Sequence, residues 1–86
     1  MSRPRDDALI EAFAVVLRKA RKEIGLTQEE LAGAAGVDRT FVGLLETGKR
    51  QPTLSVICAL AQCIGHTPES LVAAAHRLSL KTTKAP

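Results

Sequence analysis

A chain of 86 residues supports one domain with one economical core, and a formal charge of +3 allows a polyanionic partner without requiring one. Plentiful Ala and Leu with two Phe, no Trp and no Tyr favour close helical packing over a sheet. No apolar run reaches membrane-spanning length and residues 1–8 are polar, so neither an anchor nor a signal peptide is expected and the expected location is the cytoplasm.

Residues 1–6 read as an N-terminal arm carrying Arg3 and Arg5. Asp6 or Asp7 can cap a first helix that runs to about Ile24, with Ile10, Phe13, Ala14, Leu17, Arg21 and Ile24 on its inner face. Arg21 is the charged exception on that stripe. A guanidinium buried alone is prohibitive, so it needs a carboxylate, and Glu46 is the candidate. Arg18 and Lys19 read as a solvated face.

Gly25 ends this helix, and Thr27 with Glu30 forms a capping box for a second helix starting at Gln28. Its apolar positions, Leu31, Ala32 and Ala35, are mostly small, which lets another helix approach closely. Gly36 is the expected left-handed stop, and Val37 tucks under the turn. Asp38 then caps a third helix whose inward positions are Phe41, Val42 and Leu45, ended by Thr47 and Gly48. Arg39, Thr40, Gly43 and Leu44 point outward. Too few apolar residues line either helix for full-length antiparallel packing, so the two should cross steeply as a helix-turn-helix.

Pro52 closes a basic loop containing Lys49 and Arg50, and Thr53 caps a fourth helix from Leu54 to Ile64 with a stripe of Ile57, Leu60, Ala61 and Ile64. Thr67 and Pro68 open a fifth helix carrying Leu71, Val72, Ala75 and Leu78. Leu71 suffices to pin that helix, which leaves Val72, Ala75 and Leu78, with Leu80 beyond them, as an apolar stripe and an expected homodimer surface. Cys58 and Cys63 point in different directions on one helix, form no disulfide there, and are expected as small buried hydrophobes. His66 and His76 have no catalytic partner. The helical core is expected over residues 7–78, followed by a basic, mobile tail over 79–86.

The residues Gln28, Ala32, Gly36, Val37, Val42 and Leu45 fall where the lambda-repressor-like helix-turn-helix family (Cro/C1-type, XRE) keeps its signature. Glu46, Gly48, Lys49, Arg50 and Pro52 are similar to that family's E-x-G-x-R-x-P ending. Arg21, Gly25, Leu26 and Thr27 extend the resemblance backward, so that it covers roughly residues 10–75. The resemblance implies an all-α, five-helix DNA-binding domain, with paired residues at the positions of Arg21 and Glu46.

As a reader of double-stranded DNA, the chain offers Gln28 to a phosphate, Arg39 to guanine in bidentate fashion, and Thr40 to a base edge or phosphate. Gly43 permits close approach to the groove and Leu44 meets a thymine methyl, although both depart from the polar residues usual in the family. Lys49 and Arg50 hold phosphates. A single recognition helix touches few bases, so a homodimer on a palindromic operator is expected. A second reading is an antitoxin-like or adaptor module whose main partner is a protein, motivated by Leu44 and the apolar fifth helix. Without a nucleophile and base, paired carboxylates, a phosphate-cradling glycine loop or a metal cluster, the sequence predicts neither an enzyme nor a cofactor.

Overall fold

The computed structural model describes residues 5–82, and all of their regular structure is helical: α1 (Asp7–Ile24), α2 (Gln28–Ala35), α3 (Arg39–Glu46), α4 (Leu54–Cys63) and α5 (Pro68–Thr82). Arg3 of the expected basic arm lies outside the described residues, as do residues 83–86.

Side-chain oxygens fix most of the helix starts by satisfying amides that no intrahelical carbonyl can reach. Asp6 accepts from the Leu9 amide at 3.0 Å, and Thr53 from that of Val56 at 3.2 Å. Thr27 and Glu30 bond reciprocally at 3.0 and 2.9 Å. Thr67 and Ser70 do the same at 3.0 and 3.1 Å before α5. At α3 the expectation fails: Asp38 occupies the capping position with extended backbone, yet its side chain bonds no amide. The first turn of α3 therefore keeps its amides clear of any side-chain acceptor.

Every helix contributes at least one fully buried aliphatic side chain to one core: Leu17 from α1, Leu31 from α2, Val42 and Leu45 from α3, Leu60 from α4 and Leu71 from α5. Each such burial contributes about 1.5–3 kcal/mol relative to exposure. The α1 helix packs most extensively against α5 and also against α3, and α2 packs against both α3 and α4. The long α1–α5 pair is thus the platform against which the short α2–α3 unit is held.

Four expectations are corrected by this packing. Ile24 is 53% exposed, because the inner face of α1 ends at Arg21 and the chain turns away at Gly25. Cys58 is exposed, since it lies on the opposite side of α4 from Leu60, and Cys63 is only half-buried. The tail expected from Ser79 does not begin there, for α5 continues to Thr82 and Ser79 is buried. Ala75 is 1% exposed and belongs to the core, so it offers nothing to a dimer partner. Leu71, Ala75 and Ser79 recur every four residues and face inward together.

No single helix among the described residues is long and apolar enough to cross a membrane.

Candidate nucleic-acid interface

Gly36 makes the tight turn possible. Its φ of +74° lies in the left-handed region that a side chain strains, and the amides of Gly36 and Val37 both return to the Ala32 carbonyl. With α2 stopped so abruptly, α3 leaves at a new angle with one face on the core and the other toward solvent.

The C-terminal end of α3 is fixed by a polar cluster. Arg21 donates to Glu46 through Nε at 2.6 Å to Oε2 and through Nη2 at 3.0 Å to Oε1, the paired geometry that suits a guanidinium and a carboxylate. Its third nitrogen, Nη1, donates to the Leu26 carbonyl at 2.6 Å. Both residues are buried, at 7% and 8% exposure, and no buried side-chain nitrogen or oxygen among the described residues lacks a hydrogen-bond partner. The hydrogen bonds to Glu46 raise the Arg21 pKa above its already high ordinary value, against a smaller opposing effect of burial. With its folded pKa raised, Arg21 stays charged through neutral and mildly alkaline pH, and on the basic side its contribution is lost only in strong alkali.

Gln28 joins the same cluster. Its Nε2 donates to Glu46 Oε1 at 3.0 Å, so the first residue of α2 is tied to the last residue of α3. One N–H of that amide group remains for another acceptor. The spacing of Arg21 from its apolar neighbours announces the ion pair, but nothing local to Gln28 announces this second bond, because it depends on the crossing of α2 over α3.

The N-terminal half of α3 is free by contrast. Arg39 and Thr40 are exposed and make no hydrogen bond or ion pair among the described residues. Gly43 and Leu44 are half-buried one turn on. A Cβ at Gly43 would meet Gln28 Oε1 at 3.8 Å, ordinary contact, so Gln28 lies across α3 at this point.

Beyond α3, Lys49 and Arg50 are exposed, and the backbone is held at Lys49. The Lys49 amide donates to the Leu44 carbonyl at 3.0 Å, and the Thr47 hydroxyl donates to the Gly43 and Leu44 carbonyls. Gly48, with φ of +74°, lies so close to α1 that a Cβ there would sit 3.4 Å from Glu11 Cγ and 3.6 Å from its Cα. Arg18 and Lys19 of α1 are exposed, as expected of a solvated face, and so is Lys22; with Val15, Glu23 and Glu46 they line an open recess of about 520 Å³. Opposing this positive character, Glu29 and Glu30 stand in the first turn of α2, at the positive end of the helix dipole.

Among the residues expected at a dimer surface, Val72 is 40% exposed and Leu78 is half-buried against the core. Leu80, the further member of that apolar stripe, is 62% exposed, and Leu54, which sequence reasoning did not single out, is 82% exposed. Among the described residues, no group of three or more His, Cys, Asp or Glu could hold a metal ion.

Comparison with known proteins agrees with this geometry. The model of the HTH_3 helix-turn-helix family matches residues 17–72, from the middle of α1 into α5. A helix-turn-helix-type transcriptional regulator of Methanothermobacter thermautotrophicus is 44% identical over 50 residues, 58% of this chain and 72% of its own length. The control protein C.SmaI of Serratia marcescens is 34% identical over 62 residues, 72% of this chain and 74% of its own. Among solved structures, the restriction-modification controller protein C.AhdI from Aeromonas hydrophila is similar with a TM-score of 0.69 at 40% identity, over 73% of this chain and 94% of that one.

Proposed function

Because the chain belongs to the HTH_3 helix-turn-helix family of transcriptional regulators, we propose that it binds double-stranded DNA sequence-specifically as a homodimer on a palindromic operator. The observation that carries this reading is the state of α3. Among the described residues Arg39 and Thr40, in its first turn, have no side-chain partner, while its far end is locked to α1 by the buried Arg21–Glu46 pair. A rigid helix with a free polar tip is what entry into a major groove requires.

In this scheme Arg39 addresses guanine O6 and N7 with its planar donor fork, and Thr40 reaches a neighbouring base edge or phosphate. Leu44 meets a thymine methyl, and Gly43 keeps the helix close to the groove. Lys49 and Arg50 lie on a loop whose backbone is already bonded to α3, and they hold phosphates without reading sequence. Gln28 donates its remaining amide N–H to a further phosphate. The similarity to restriction-modification controller proteins supports a small regulator of this kind.

The homodimer is supported by Val72 and Leu80 on α5 and Leu54 at the start of α4, apolar side chains left open by the monomer. A two-fold arrangement would set the two copies of α3 about 34 Å apart, one turn of DNA. Changing Val72 and Leu80 together to Glu is expected to give monomers in sedimentation without loss of helix content. A wild-type chain that stays monomeric at high concentration and on DNA would remove the dimer from the scheme.

Selection of bound sequences from a random duplex pool tests the function as a whole. Enrichment of two inverted half-sites, each with a required G·C pair, is expected; a pool that stays random after repeated rounds would refute sequence-specific binding.

A further inference from the structure

Glu46 accepts three hydrogen bonds, two from Arg21 and one from Gln28, and it is the only carboxylate among the described residues that an ion pair and a glutamine share. The Arg21 bonds explain the fold. The Gln28 bond does something further, because Gln28 is the residue assigned above to a DNA phosphate. A glutamine at the first position of a helix has freely rotating side-chain torsions, and fixing it on DNA would oppose binding. Here the amide group is already oriented: one N–H donates to Glu46 at 3.0 Å, Oε1 lies 3.8 Å from where a Cβ on Gly43 would stand, and the second N–H has no acceptor among the described residues.

We infer that Glu46 is a positioning residue for DNA backbone binding, holding the Gln28 amide ready for a phosphate oxygen as well as closing the ion pair with Arg21. The carboxylate itself touches no DNA. Its charge is compensated by the Arg21 guanidinium, so it can stand behind a phosphate contact without repelling it. The same carboxylate thus links the body of the domain, through α1, to the contact made by α2. The inference rests on the DNA-binding reading above, with which it shares Gln28.

The test removes the acceptor while keeping the fold. Replacing the ion pair by apolar residues of similar length, Arg21→Met with Glu46→Met, leaves no buried charge unpaired, an exchange that is often neutral or stabilising. Affinities for cognate and scrambled duplexes are then measured at several salt concentrations, with and without Gln28→Ala, in wild type, in the Met pair and in Glu46→Gln. In wild type Gln28→Ala is expected to weaken both duplexes alike, about 3- to 10-fold, with the salt slope unchanged because a neutral donor releases no counterion. The same loss is expected in Glu46→Gln, which retains an oxygen acceptor. In the Met pair the loss is expected to be present already, and Gln28→Ala should add nothing to it.

An equal further loss in the Met pair would overturn the inference, since Gln28 would then work without Glu46. Should the Met pair fail to fold, the wild-type protein decides by NMR without DNA. Two well-separated Gln28 side-chain amide protons, one protected from solvent exchange, support the held amide, and two rapidly exchanging protons refute it. Failure of the underlying reading looks different: wild type would bind neither duplex at any salt, which also ends the inference even if the amide is held.

Discussion

At its first turn α3 presents Arg39 and Thr40 to solvent with no partner among the described residues, whereas its last turn buries Leu45 and Glu46 completely or nearly so. The whole helix spans only eight residues. One end is chemically idle in the free protein, and the other is held by hydrogen bonds from α1 and α2. The difference teaches how a very short helix becomes a rigid probe. Eight residues are too few for a stable isolated helix, so its rigidity comes from tertiary anchoring at one end, which frees the other for recognition.

Mutations along α3 should follow that gradient. Glu46→Ala is expected to have the largest effect, about 3 kcal/mol in chemical denaturation, because it leaves the buried Arg21 guanidinium uncompensated. An unchanged midpoint would mean that the pair does not anchor the helix. Thr47→Ala removes a hydroxyl that donates to the Gly43 and Leu44 carbonyls at an exposed helix end, and a smaller loss of about 1 kcal/mol is expected in the same assay. Arg39→Ala should change stability by less than about 0.5 kcal/mol, since the side chain bonds nothing among the described residues. A destabilisation at Arg39 approaching that at Glu46 would erase the contrast between the two ends.

Much of this arrangement is legible in the sequence because it follows from local rules. The helix starts are announced by Asp6, Thr27, Thr53 and Thr67, whose oxygens all cap as expected. Arg21 on an apolar stripe demands a carboxylate, and Glu46 is that carboxylate. What the sequence conceals depends on how helices face one another. Gln28 reads as a free terminal residue until the crossing of α2 and α3 brings it to Glu46. Ala75 reads as surface because Leu71 alone could hold α5, but α5 runs along α1 for much of its length and a residue one turn on is buried too. Cys58 illustrates the reverse error, a residue type that is usually buried but here falls on the outer side of α4. Asp38 has the right identity and position for a cap but makes no side-chain bond, and nothing in the structure explains why.

The central claim is that the free end of α3 reads sequence while the loop after it only holds the backbone, and paired titrations of Arg39→Ala and Lys49→Ala test it most directly. Both variants are measured on cognate and scrambled duplexes across a range of salt. Arg39→Ala is expected to lose about 1–3 kcal/mol on the cognate duplex and little on the scrambled one, with preference relaxed at one base pair per half-site. Lys49→Ala should weaken both duplexes alike and reduce the salt slope by about one for each phosphate that the lysine neutralises. Equal binding of the two duplexes by wild type at every salt, or an Arg39→Ala variant indistinguishable from wild type while Leu44 substitutions abolish binding to a protein partner, would contradict the account and favour an adaptor module.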